Sequence, residues 1–377
     1  MNNDALGRQD VHFAIQVLRP LLIVVMCWAH IPILWGFLHP PVTTEVPVSV
    51  LGTVLRDTLS RGAVPVLTVI SGYLAYASFE RKSYGLFVTE KLQRVLLPFL
   101  LWNVVLLLYL HYLNQAFDKD IGGLIARLQS TADVLLAVVG YNQLPVNAPT
   151  YFLRDLFLIL LCVPVIDLVT RNRTVGIAII VLLGLLVLSV FPLYFSIRGH
   201  GILYRNDMPL FFIIGYVFAR HGPTLQKQAD WKAIVGVAGF VGACIATSFW
   251  LVAEKPPLLE FLRYRPVFGL YLVLTLPYAL SFIARHRDAA VVGGLRRLSP
   301  YSFTIFLSHM IVVHYLGGGL SDPLSLELAE FKLSNFSPFW LQAAFVCFYT
   351  ALCVGLGVAI KLVRDTTVGL LERRPTA

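Results

Sequence analysis

About ten windows of roughly 18 to 25 predominantly apolar residues recur along this chain, each long enough for one helix to cross a bilayer. They lie near 14–38, 62–80, 95–115, 150–169, 175–195, 208–220, 232–253, 266–284, 299–316 and 339–362. The window at 208–220 is the shortest and needs residues from the preceding loop to span. Apolar residues make up 57% of the 377, charged residues only 14%, and mean hydropathy is +0.74, so there is too little polar surface to cover a soluble body of this size. The expected fold class is therefore all-α, a polytopic integral membrane protein with about ten transmembrane helices. No composition shift separates a soluble part, so residues 1–377 read as one transmembrane domain.

An even number of spans puts both termini on one side, and the Lys/Arg bias makes that side cytoplasmic. Short basic loops carry Arg81, Lys82, Arg171, Arg173, Arg285, Arg287, Arg296 and Arg297, whereas Glu45, Asp118, Asp120, Asp322, Glu327 and Glu330 fall in the opposite loops. The net charge of +9 thus belongs to the inner membrane face, next to lipid headgroups. It does not indicate nucleic-acid binding, because no basic and aromatic module of that kind is present. The opening MNNDALGRQD lacks the basic start and cleavage site of a signal peptide, so the first span is expected to be retained. Within 116–149, apolar residues at helical spacing predict a segment lying along the outer interface. The five cysteines sit in apolar segments without metal-ligand spacing, and no metal is expected.

Arg19 and His30 share the first apolar window, with ten residues between them. On a helix they stand roughly 16 Å apart and return to one face after three turns plus about 20°. A guanidinium inside a membrane costs roughly 2.5–3.5 kcal/mol on insertion scales, so something should offset it. Either the pair lines a functional cavity, or Arg19 marks the inner edge of the span and His30 is a core histidine. Ser71 and Gly72 form a small step in the second span, which suits close approach of a ligand or of another helix. Lys91 and Arg94, three residues apart at the start of the third span, suit phosphate groups and equally suit anionic headgroups. Arg154 with Asp155, and Arg205 with Asp207, sit near the outer boundary, where they either bind a polar acceptor or pair locally. The ninth span holds Tyr301, Ser302, Thr304, Ser308, His309 and His314, polar enough to face protein or water rather than lipid. No zinc signature, phosphate-cradling loop, dinucleotide fingerprint or nucleophile elbow is present, which leaves His30 as the foremost acid/base candidate. A desolvated imidazole stays neutral near pH 7, as a general base requires.

Taken in order, Arg19 and His30, the SGYL run at 71–74, the basic pair followed by VLLPFLLW and the late SPYSFTIFLSH ending at His309 resemble the membrane acyltransferase-3 family. YFLRDL at 151–156 is similar to that family's WFL pattern, with Tyr151 in place of tryptophan. Lys91 stands where the family has the first of two arginines, which keeps the charge but loses the bidentate fork. The resemblance implies an inner-membrane O-acetyltransferase using cytoplasmic acetyl-CoA, with a glycan or lipid-linked saccharide as acceptor. It implies His30 as general base or acyl carrier and Arg19, Lys91 and Arg94 as holders of the donor; Arg154, His309 and Ser71, from the reading of the residues themselves, are the acceptor-side candidates. A transporter or flippase of a polar or lipid-linked sugar is the rival reading, and the absence of evident internal repeats counts against it.

Overall fold

The structure, a computed structural model, describes residues 5–28, 60–117, 128–141, 143–189, 194–197, 200–222, 225, 227–253, 267–314 and 339–372. Helix α1 (Arg8–Trp28) begins where Asp10 accepts the backbone N–H of Gly7 at 3.1 Å, a reciprocal cap for an otherwise orphan donor. Its residues Val11, Ala14, Ile15 and Leu18 recur at helical spacing and are buried against the second helix, α2 (Ser60–Phe79), and a later one, α11 (Val267–Arg285). Pro20 lies inside α1 and has no N–H to return to the Gln16 carbonyl.

Helices α3 (Tyr84–Lys91) and α4 (Leu97–Phe117) are joined without a break by a π-helical turn, Leu92–Leu96. Pro98 explains that turn: its ring crowds the carbonyl of Arg94 four residues back, and widening the helix relieves the contact. The 116–149 segment contains α5 (Thr131–Val139), started by a capping box between Ser130 and Asp133 and stopped by Gly140 at φ 75°, a left-handed position that glycine adopts without Cβ strain. The fourth apolar window is broken at Cys162, before Pro164, into α6 (Tyr151–Leu161) and α7 (Val163–Val169). The next helix, α8 (Arg173–Ser189), departs from α7 at 117°. Strands β1 (Tyr194–Ile197) and β2 (His200–Arg205) form an antiparallel hairpin, a departure from the helix-only expectation. It is followed by α9 (Met208–His221), α10 (Asp230–Ala253), α11, the short amphipathic α12 (Ala290–Leu298), α13 (Ser302–His314) and α14 (Phe339–Glu372).

Every apolar window carries helix among the described residues. Three stretches, Arg8–Cys27, Gly62–Phe79 and Tyr84–Ala116, are long and apolar enough by themselves to cross a bilayer, and the bent α7–α8 pair together would supply a fourth. Large apolar side chains stand exposed on the outer helices, Leu108 on α4 at 64%, Leu185 on α8 at 62% and Leu274 on α11 at 74%, which is the surface a lipid environment covers.

The shortest window supplies a largely enclosed helix. Leu210, Phe211, Phe212 and Tyr216 of α9 are almost fully buried, because this helix is surrounded by protein. It runs alongside α2 in the same direction, and the two backbones touch. A Cβ on Gly72 would fall 2.0 Å from the Phe212 carbonyl oxygen, and one on Gly215 would fall 1.9 Å from that of Val69. The small step at Ser71 and Gly72 is thus filled by a helix, and the Ser71 hydroxyl donates to its own helix at Leu67 O, 2.8 Å away. Replacing either Gly72 or Gly215 by alanine should force the helices apart and cost about 1–3 kcal/mol. Gly184→Ala, which has open space around its Cβ, is the control, and all three are compared by unfolding midpoint in detergent.

Candidate functional site

The first helix sets the stage, because Arg8, His12, Gln16 and Arg19 follow one another at intervals of three or four along one stripe. The lower part of this stripe forms one wall of a cleft of about 550 Å³, opposite Tyr73, Tyr76, Glu80 and Arg81 at the end of α2, with Ala219 of α9 and Arg296 of α12 at its edge. Arg19 lies one turn beyond Gln16, half-buried, and among the described residues it has no hydrogen-bond or ion-pair partner. His30 falls outside the described residues.

Lys91 and Arg94 are not among the walls of that cleft. The Lys91 ammonium sits 4.9 Å above the Phe87 ring, and Arg94, in the π turn and 74% exposed, reaches back to Glu90 at 3.3 Å. Lys82 pairs with the same carboxylate. Lys91 and Arg94 therefore each lean on the turn before them, whereas Lys82 reaches forward to Glu90 from ahead of α3.

At the other end of α9 the polar groups are buried and neutralised. Arg154 and Asp155, at 3% and 0% exposure, are paired through Arg154 Nε–H donating to Asp155 Oδ1 at 2.9 Å. Arg154 Nη1 also donates to the carbonyl of Gly140, 2.7 Å away, so it holds the end of α5. The second Asp155 oxygen accepts the backbone N–H of Arg205 at 3.1 Å. Arg205 in turn grips Asp207 with two parallel bonds of 2.6 and 2.9 Å and donates to the Tyr151 hydroxyl at 2.6 Å. The two pairs read separately in the sequence are one network joining α5, α6, β2 and the start of α9. Tyr204, in the hairpin, has its hydroxyl pushed above the usual tyrosine range, first by burial and then by the carboxylates of Asp155 and Asp207.

A second buried cluster escaped the sequence reading. Asn103 Nδ2 donates to Phe99 O and to Thr150 Oγ1, Asn103 Oδ1 accepts the Asn147 backbone N–H at 2.7 Å, and Asn147 Nδ2 donates to Leu307 O at 2.9 Å. This ties α4 and the start of α6 to α13. Two residues further on, His309 is 1% exposed with Nδ1 2.7 Å from the Phe306 carbonyl. A carbonyl only accepts, so Nδ1 carries a proton and donates it to Phe306. Asp167 was also missed, although a carboxylate inside VPVIDLV was a signal: it accepts from Tyr216 Oη at 2.8 Å and from Arg220 Nη1 at 2.7 Å, fastening α7 to α9.

Among the described residues no group of three or more His, Cys, Asp or Glu side chains is arranged to hold a metal ion. Removing one partner of a buried ion pair leaves the other charge uncompensated, which costs roughly 3–5 kcal/mol. Asp155→Ala should therefore lower the unfolding midpoint sharply, and far more than Arg94→Ala, whose pair is exposed.

A family model described as an acyltransferase domain matches residues 12–360. The succinoglycan biosynthesis protein ExoH of Rhizobium meliloti (strain 1021) is 30% identical over 255 residues, covering 66% of this chain and 64% of that protein. The match thus spans just under two thirds of that relative's length. No solved structure matches the chain.

Proposed function

From the premise that the chain belongs to the acyltransferase-3 family, we propose that it transfers an acetyl group from cytoplasmic acetyl-CoA to a hydroxyl of a glycan or lipid-linked sugar at the bacterial inner membrane. The observation that carries this reading is Arg19: a half-buried guanidinium on an apolar helix, with no ionic partner among the described residues, in a chain matched by the family from 12 to 360. Similarity to a succinoglycan biosynthesis protein supports a polysaccharide, or its lipid-linked precursor, as acceptor.

Arg19, Lys91 and Arg94 hold the donor, and the pantetheine arm runs along α1 toward His30, which follows Arg19 by eleven residues in the sequence. His30 takes the proton of the acceptor hydroxyl as its oxygen attacks the thioester carbonyl. The new C–O bond forms, the C–S bond breaks, and the proton passes to the departing sulfur. On the acceptor side, His309 has its tautomer set by Phe306, Arg154 stabilises the wall through Asp155 and Gly140, and Ser71 stands beside the α2–α9 contact.

Membranes containing the protein, supplied with labelled acetyl-CoA and candidate glycans, test the assignment. Label should enter glycan with the parent protein and not with a folded His30→Ala variant; undiminished labelling would remove His30 from the mechanism. Arg19→Ala should raise the apparent KM for acetyl-CoA about tenfold or more, the loss of one charge-assisted contact. An unaltered donor dependence would contradict its role.

A further inference from the structure

The cleft at the start of α1 gathers like charges without compensation. The guanidiniums of Arg8, Arg81 and Arg296 and the imidazole of His12 line it. Glu80 is the one carboxylate among its walls, and it accepts the Tyr76 hydroxyl at 3.2 Å. Among the described residues neither Arg8 nor Arg81 has a carboxylate within ion-pairing distance. Arg296 lies 5.3 Å over the Phe13 ring, and Arg287, held by Asp10, lies 5.3 Å over it too. Cations that repel one another are gathered by the fold at an opening whose volume, about 550 Å³, is that of a small-molecule site. The walls add the aromatic side chains of Phe13, Tyr73 and Tyr76. Guanidiniums beside aromatic faces fit phosphates next to a planar base. The stripe that forms the wall leads on to Arg19, roughly 10 Å beyond His12 by helix rise.

We propose that this cleft is a polyphosphate-binding site, and that Arg8, Arg81 and Arg296 receive the phosphates and nucleotide of the acyl donor before its thioester arm passes Arg19. The cleft as a phosphate site stands on the geometry alone; the identity of the occupant rests on the function proposed above. An anionic lipid headgroup presents the same phosphate chemistry, so the test separates the two sources.

Full-length protein in discs of neutral phosphatidylcholine is titrated with coenzyme A, pantetheine and inorganic pyrophosphate. Coenzyme A should bind at least a hundredfold more tightly than pantetheine, and pyrophosphate should compete with it. Arg81→Gln and Arg296→Gln should each weaken coenzyme A about tenfold and leave pantetheine unchanged. Glu80→Gln, which keeps an acceptor for Tyr76 but removes the opposing charge, should tighten coenzyme A severalfold, a gain that a purely structural role would not produce. Coenzyme A binding equally to parent and to a folded double arginine variant overturns the cleft assignment and leaves the donor reading intact. Arginine-dependent binding of pyrophosphate with none of coenzyme A supports the cleft and overturns the donor. In discs containing phosphatidylglycerol at equal ionic strength, displacement of coenzyme A that disappears in the double variant identifies a headgroup as the occupant and overturns the nucleotide.

Discussion

Two glycines on facing helices, Gly72 and Gly215, hold α2 and α9 at a separation that no side chain fits between, and the other positions in the bundle are referred to that contact. Between helices in lipid, close backbone packing replaces the hydrophobic drive available in water. The rings of Tyr76 and Tyr216 meet edge to face at 5.3 Å beside the glycines, and Arg220 reaches from the end of α9 to Asp167 on α7. The apolar stripe of α1 packs on α2 in the same cluster that takes in Phe211 of α9, so the helix that carries Arg8, His12 and Arg19 is seated against this pair.

Charge is distributed unequally along this core. At the start of α9, Arg154, Asp155, Arg205 and Asp207 neutralise one another in one hydrogen-bonded network, and the group adds rigidity without net charge. At its far end, roughly 17 Å along the helix by rise, the cleft holds arginines with too few carboxylates to balance them. The first arrangement has no electrostatic demand left for a ligand. The second does, and the contrast separates framework from binding surface within one bundle.

Much of this was legible because it rests on local pattern. The apolar windows carried the helices, the helical spacing of apolar residues within 116–149 announced α5, and the basic residues marked loops that stay short. What the sequence left open were matters of pairing. Ser71 and Gly72 suited a ligand or a helix equally, and only the position of Phe212 decides for the helix. Arg154 and Asp155 were placed near an outer boundary, whereas β2 and Gly140 enclose them. Asn103 and Asn147 are 44 residues apart and become partners only when α4 meets the turn before α6. The hairpin was hidden where the fifth apolar window, read to about 195, gives way to loop, and the break at Cys162 in a window long enough to read as one continuous helix.

A helix with a missing rung bends most easily there, and in α1 the missing rung is the bond that Pro20 cannot give to Gln16. The rod is therefore two stiffer pieces meeting just past Arg19. The lower piece borders the cleft; the upper one, which ends at Trp28, carries Ile23, Met26 and Cys27 into the core. The proline joint therefore falls where α1 passes from bordering an open cleft to being enclosed by protein.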